Sequence, residues 1–441
     1  MKRFEKIEGA NCVTLGAIIL NGGMSSFTFA FLTVLLAVTL LRWGLAWRQI
    51  RTVGRHRAAV PELFEGAVSL ASHQRAADYT CAKARLAEVH AILEGALAAA
   101  LIPGGGIALL LKAWEGWLGP GLGSDVGLVV SVAVIAGILE LPLSLYRTFV
   151  IEARFGYNRM TVRIFLADLA KGAVVGALLG MPLLAAVLWL MAEGGHAWWI
   201  YAWGAWAGFN VLILAAYPRW IAPLFNKFAP LQDAALQSRV EALLARCGAN
   251  FNGIFVMDGS RRSAHGNAYF TGFGRNKRIV LFDTLLERLD PAELEAVLAH
   301  ELGHYRLRHV GKRLAMLLGV SLALFWSLQA LREYPRLLES LALPIPVSDG
   351  AVLAAFFLAA PLLLFPVQPL LSWYSRRHEF EADAYASRQA GFDPLCQALR
   401  KLYQDNGATL TPDPIHSAFY DSHPPAIRRV GRLTSPAAGA S

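Results

Sequence analysis

Three residues are placed to do chemistry together: His300, Glu301 and His304, within Asp290-Pro-Ala-Glu-Leu-Glu-Ala-Val-Leu-Ala-His-Glu-Leu-Gly-His304. Asp290 can cap a helix, Pro291 fits its first position, and Glu293 completes a capping box. Leu294, Val297, Leu298 and Leu302 supply an apolar stripe at helical spacing. His300 and His304 therefore stand at i and i+4 on one helical face, where two imidazoles can reach one ion. Glu301 lies ~100° around the same helix and can serve as a base without ligating. This is the H-E-x-x-H arrangement of zinc hydrolases. Two surface histidines on an amphipathic helix would share the spacing; the capped start and the apolar stripe favour the ion.

A catalytic zinc takes three protein ligands and keeps one position open. Ser375-Arg-Arg-His-Glu-Phe-Glu-Ala-Asp-Ala-Tyr-Ala386 offers the third, with Glu379 lying 75 residues after His304. Glu379 and Asp383 share a helical face, and the small Ala382 and Ala386 allow close approach to the first helix. One carboxylate can ligate while the other accepts an imidazole N–H; spacing does not say which. Glu381 would point elsewhere. Taken alone, this segment reads as an exposed charged helix.

The elements that position these residues are set by composition. The chain has 441 residues, 55% hydrophobic and only 17% charged, against ~25% charged in average soluble domains. Its apolar residues form blocks, and seven segments are long enough to cross a bilayer. They are Phe27–Trp47, Gly95–Leu111, Val126–Tyr146, Ala173–Met191, Ala197–Pro218, Leu314–Leu331 and Gly350–Trp373. The second is interrupted by Pro103 and Gly104–Gly106. The third carries Glu140, an ionisable group at membrane depth that needs water or a partner. The four cysteines are far apart and include no C-x-x-C, which argues against a disulfide framework or thiolate site.

Net charge is +9, from 41 basic and 32 acidic residues. Orientation of spans explains this better than nucleic acid does, and no nucleic-acid partner is expected. Arg48, Arg51, Arg55 and Arg57 follow the first span, and Arg147, Arg154, Arg159 and Arg163 the third. The opposite loops hold only Lys2, Arg3, Lys6, Lys112, Arg332 and Arg336. The expected topology is N-terminus outside and C-terminus cytoplasmic, in a bacterial inner membrane or the endoplasmic reticulum. The chain then divides into a possible extension at 1–23 and spans one to five within 24–220. A cytoplasmic catalytic region at 221–310 follows, then spans six and seven within 311–373 and a cytoplasmic region at 374–441 that completes the metal site. The sixth span begins about ten residues after His304, roughly 15 Å of helix, and the seventh runs almost into Glu379. Substrate is thus met at the membrane surface.

At these residues the sequence resembles the Ste24 family, the type I CAAX prenyl proteases of peptidase family M48. Further motifs in the same order carry the resemblance: Glu152-Ala-Arg-Phe-Gly-Tyr-Asn158, Tyr217-Pro-Arg-Trp-Ile-Ala-Pro-Leu-Phe-Asn-Lys-Phe228, His265-Gly-Asn-Ala-Tyr-Phe-Thr-Gly272 and Ser422-His-Pro-Pro425. The resemblance implies a mainly α, polytopic fold of seven transmembrane helices around a water-filled chamber, with a cytoplasmic zincin-like (gluzincin) α+β catalytic domain. It implies one Zn²⁺ held by His300, His304 and Glu379, with Glu301 as general base and Asp383 supporting the ligands. Asn267, Ala268 and Tyr269 match an edge strand that pairs with substrate backbone; alternation over Asn267–Phe273 suits a strand on its own merits. His423 matches a residue that steadies the oxyanion, and Arg429 one near the substrate. The implied partners are the bilayer and a peptide or protein substrate, prenylated or simply short and apolar. An HtpX-like quality-control protease of the same family is the alternative. A transporter with a structural zinc is the rival from another class, and a free Glu301 beside both histidines argues against it.

Overall fold

A computed structural model describes residues 25–249, 251–272 and 277–434. The expected extension at 1–23, the small-residue end at 436–441 and Phe273 of the expected strand lie outside the described residues.

The membrane part begins with α1 (Ser26–Arg55), started by Ser25, whose hydroxyl accepts the Thr28 N–H. Next come α2 (Leu70–Leu101) and α3 (Gly106–Leu118), then α4 (Leu122–Tyr146), α5 (Val162–Glu193) and α6 (Trp198–Ala216). Among the described residues six helices are long and apolar enough to cross a membrane, and α2 with α3, bent by 57°, brings the number to seven when the pair is one broken span. The bend falls where Pro103 and three glycines interrupt the apolar run, and Gly105 takes φ +77° there. The second crossing is therefore not the single window Gly95–Leu111. Its first helix starts 25 residues earlier and packs along α1, so its polar half lay hidden from an apolar window. Large apolar side chains such as Leu178 (69% exposed) and Leu363 (62%) are left uncovered on the spans, as expected of helices that cross a membrane. Glu140 on α4 meets His90 on α2 at 2.9 Å. His90 also lies 3.6 Å from Glu94, which pairs with Arg42 on α1. Pairing between spans is thus observed for this intramembrane carboxylate.

The extramembrane part is a four-stranded sheet with helices packed against it. Its strands are β1 (Phe228–Pro230), β2 (Ile254–Met257), β3 (Ala268–Thr271) and β4 (Arg278–Phe282), in the order β1-β2-β4-β3. β2 and β4 are parallel, while β1 and β3 run antiparallel to their neighbours. β3 pairs with β4 on one side, and no strand pairs with its other side among the described residues. Between β1 and β2 lies α7 (Ala234–Arg246), and after β4 comes α8 (Pro291–Arg306). Ile279 and Leu281 of β4 share a core with Val240 and Leu243 of α7 and Leu294, Leu298 and Leu302 of α8. The expected apolar stripe is the buried face of α8, with Val297 at its margin.

The chain then returns to the membrane as α9 (His309–Arg332) and α10 (Asp349–Leu364). A short 3₁₀ turn, Phe365–Val367, leads into α11 (Gln368–Ala390). The seventh span therefore continues, after one break, into the helix that carries Glu379 and Asp383. It is followed by α12 (Phe392–Asp405), α13 (Pro414–Tyr420) and α14 (Ala426–Thr434).

α8 and α11 cross closely. Ala382 and Ala386 are fully buried in that contact. A Cβ built on Gly303 would lie 3.1 Å from the Ala382 Cα and 3.2 Å from the Tyr385 Cβ, tighter than ordinary van der Waals contact. Gly303→Val should therefore force the helices apart and destabilise the fold by about 1–3 kcal/mol, read as a lower thermal midpoint in detergent.

Asp413 ties the C-terminal region back to the first span. It is 1% exposed and accepts from Arg48 Nη2 and Thr52 Oγ1, both at 3.0 Å, and from the backbone N–H groups of Ile415 and His416 that begin α13. Burial alone would raise its pKa, but the His416 N–H, Arg48 and Thr52 hold it below the ordinary carboxylate value. A depressed carboxylate contributes stability that is complete above its unfolded pKa of about 3.9 and fades as pH falls through the folded value. Asp413→Ala should destabilise by about 1–3 kcal/mol at neutral pH. The gap from wild type should close on acidification below about pH 4, measured by thermal melts across pH.

Candidate active site

The capping box predicted for α8 is present, with the Asp290 N–H donating to Glu293 Oε2 at 2.9 Å. Lys401 on α12 holds the same carboxylate at 2.7 Å. From this fixed start the helix brings His300, Glu301 and His304 to its last two turns. His300 Nε2 and His304 Nε2 are 3.2 Å apart. Glu379 Oε2 lies 3.4 Å from the first and Glu379 Oε1 3.4 Å from the second.

A tetrahedral zinc with N and O ligands at about 2.05 Å has ligand–ligand edges of about 3.3 Å. The two imidazole nitrogens stand at that spacing, the Glu379 carboxylate brings one oxygen to 3.4 Å from each, and the N, N, O donor set suits zinc. Glu379 is buried, and its Oε2 has no hydrogen-bond donor. An unpaired buried carboxylate oxygen beside two imidazole nitrogens is a position a cation could occupy.

Asp383 has a different task. Its Oδ1 lies 2.8 Å from His300 Nδ1, and Arg429 on α14 grips it through Nε at 2.8 Å and Nη2 at 2.5 Å. The alternative that spacing left open is resolved in space: Glu379 faces the imidazole Nε2 pair, and Asp383 stands behind His300. Arg429 lines the cavity, but its guanidinium is engaged with Asp383. It therefore reaches the ligands through that carboxylate while standing on the wall of the cavity.

The electrostatics favour a positive charge at the centre. Burial alone would depress His300, yet the contact with Asp383 and the adjacent Glu379 carboxylate raise its pKa to about 9. The field that stabilises a proton there also stabilises a metal cation. Burial holds the Glu301 carboxyl above the ordinary carboxylate range, a condition that suits a group exchanging protons near neutral pH.

A cavity of about 810 Å³ opens onto these residues. His300, Glu301, Asn267, Ala268 and His423 line it, so edge strand β3 begins at its wall. Leu285, Val297, Leu395, Leu399 and Leu402 give it an apolar side. Tyr269 is on β3 but outside the lining, because alternation turns its side chain to the other face from Ala268; it packs edge-on against Phe282. His423 Nε2 lies 3.5 Å from Glu379 Oε2. Glu381 points away from the three donors, as expected, and meets His309 at 3.0 Å.

One constellation escaped sequence reading. Tyr79 on α2 donates to Glu152 Oε1 at 2.6 Å, and Glu152 Oε2 is 3.6 Å from His265 Nε2. His265 stacks on Tyr157 at 4.5 Å. All four line the cavity and tie the end of the third span to the residues just before β3. Glu152, Tyr157 and His265 belong to recognisable motifs; Tyr79 carried no signal, because its partner is 73 residues away.

The family description "CAAX prenyl protease N-terminal, five membrane helices" matches residues 49–227, and "Peptidase family M48" matches residues 230–437. The chain is 38% identical over 325 residues to a CAAX prenyl protease 1 homolog of Oryza sativa subsp. japonica, covering 71% of this chain and 75% of that one. It is 33% identical over 323 residues to CAAX prenyl protease 1 of Saccharomyces cerevisiae, covering 70% and 71%. The crystal structure of S. mikatae Ste24p superposes with a TM-score of 0.83 at 27% identity, covering 94% of this chain and all of that one. With helices for six to seven crossings and this chamber-type fold, the chain belongs to the Ste24 family within peptidase family M48 and is a multi-pass membrane metalloprotease.

Proposed function

We propose that the chain is an endopeptidase using one zinc ion, held by His300, His304 and Glu379, and cutting near the C-terminus of prenylated or short apolar peptides. The observation that carries this is the convergence of His300 Nε2, His304 Nε2 and the two oxygens of Glu379 at 3.2–3.4 Å beside Glu301, on the wall of a cavity that begins at a sheet edge. When bound, zinc supplies the Lewis acidity that activates water and polarises the scissile carbonyl.

The chain's own residues do the rest. Asn267, Ala268 and Tyr269 offer the free edge of β3 to the substrate backbone, which fixes the carbonyl's position by strand pairing. Glu301 takes a proton from the attacking water and delivers it to the leaving amine nitrogen. His423, exposed to the cavity, donates towards the oxygen on which negative charge develops. Asp383 fixes the tautomer of His300, and Arg429 fixes Asp383. The leucine-lined side of the cavity suits aliphatic or prenyl groups.

The same geometry supports the topology. The α1 end bearing Arg48 and the α4 end leading to Arg147 both meet the catalytic part. The basic loops therefore lie on the site's side, which supports a cytoplasmic site and an N-terminus outside. The host membrane is a bacterial inner membrane or the endoplasmic reticulum.

Glu301→Gln should keep one zinc per chain while lowering cleavage of a farnesylated CAAX peptide by about 10²–10⁴-fold. Metal analysis and mass spectrometry of the products read the two effects separately. Wild-type turnover in this variant would remove Glu301 as the base. Chelation should abolish cleavage, and added zinc restore it. The farnesylated peptide should be cut with higher kcat/KM than its unmodified counterpart, because only it fills the apolar wall.

A further inference from the structure

A second group of ligand-type side chains stands behind the first. His309, the first residue of α9, is 1% exposed. Its ring stacks on His378 at 4.0 Å, its Nδ1 lies 2.9 Å from His304 Nδ1, and its Nε2 lies 3.0 Å from Glu381 Oε2. Arg377 in turn donates to Glu381 Oε1 at 3.1 Å. Arg308 adopts φ +57° in the turn between α8 and α9. That backbone conformation favours glycine, and here it folds His309 back onto the helix that carries His304.

Proton accounting leaves one arrangement. His304 presents Nε2 to Glu379 and His300, so as a neutral ligand it carries its proton on Nδ1. That N–H donates to His309 Nδ1, which has a lone pair to accept it only when His309 holds its own proton on Nε2. The Nε2–H then points at Glu381 Oε2. Every donor has an acceptor, and each ring has a single permitted tautomer.

His309, His378 and Glu381 could by their spacing also hold a cation. That would use the His309 Nε2 lone pair and move its proton to Nδ1, placing two N–H donors head to head at 2.9 Å. A second cation is therefore incompatible with His304 ligating the first.

We infer that His309 and Glu381 are positioning residues for the metal site: an imidazole–carboxylate relay that fixes the tautomer of His304 and raises its basicity, as Asp383 does directly for His300. This rests on the reading that His304 ligates through Nε2. The site thus has two unlike supports, a carboxylate behind one histidine and an imidazole backed by a carboxylate behind the other.

The test uses the full chain in detergent, titrated with zinc against a chromophoric chelator, and substituted with Co²⁺ for its absorption spectrum. Wild type should bind one ion. His309→Phe keeps the stack on His378 but removes the acceptor, and should weaken zinc binding about 10–100-fold with an altered Co²⁺ spectrum. Glu381→Leu, at a partly exposed position, should weaken it in the same direction and decides the matter if His309→Phe fails to fold. His378→Phe should leave affinity and stoichiometry unchanged. Wild-type affinity in both His309→Phe and Glu381→Leu overturns the relay. So do two ions per wild-type chain that fall to one in His378→Phe. A wild-type chain that binds no zinc instead overturns the underlying ligand assignment.

Discussion

The close crossing of α8 and α11 is the contact on which the rest depends. His300 and His304 come from one helix and Glu379 and Asp383 from the other, so the site exists only where the two backbones nearly touch. Gly303 on one side and Ala382 on the other make that distance possible. A single Cβ at position 303 would meet the Ala382 backbone. Close packing thus sets the donor spacing, and small residues beside large functional ones are a requirement of the geometry.

That crossing also solves an electrostatic problem. Two carboxylates are buried within one helical turn of each other, and a desolvated charge is costly unless it is paired. Asp383 is satisfied by Arg429 and His300. Glu379 is left facing two imidazole nitrogens, with one oxygen lacking a donor. The other oxygen lies 3.5 Å from Arg313, and the group as a whole has the donor set of a cation site. The raised pKa of His300 is another sign of the same field.

Membrane and catalytic parts are mechanically continuous. α9 leaves the H-E-x-x-H helix after one tight turn and enters the bilayer. α11 arrives from the seventh span after one 3₁₀ break. Glu152 with His265, and Asp413 with Arg48 and Thr52, add cross-ties from other spans. The cavity is walled by both parts, from Tyr79 and Arg147 on the membrane side to Asn267 and His300 on the catalytic side.

Much of this was legible in the sequence because it is local. Hydropathy marks a span within one window, and a capped helix with i, i+4 histidines declares itself in fifteen residues. Apolar periodicity even located the buried face of α8. What failed to appear was non-local or geometric. The second crossing is a broken helix whose polar half no apolar window reports. The pairing of Arg429 with Asp383, 46 residues earlier, had no sign in the sequence. Tyr79 and His309 carried no sign of their partners, since hydrogen bonds between residues far apart in sequence, or across an αL turn, leave no periodic trace. By itself, then, the sequence determined the membrane class, the zinc-hydrolase helix and the pair of candidate carboxylates, all products of short-range spacing. Only the tertiary structure decided which carboxylate faces the imidazoles and which residues stand behind each histidine. Those depend on ångström-scale distances between elements that chain order does not encode.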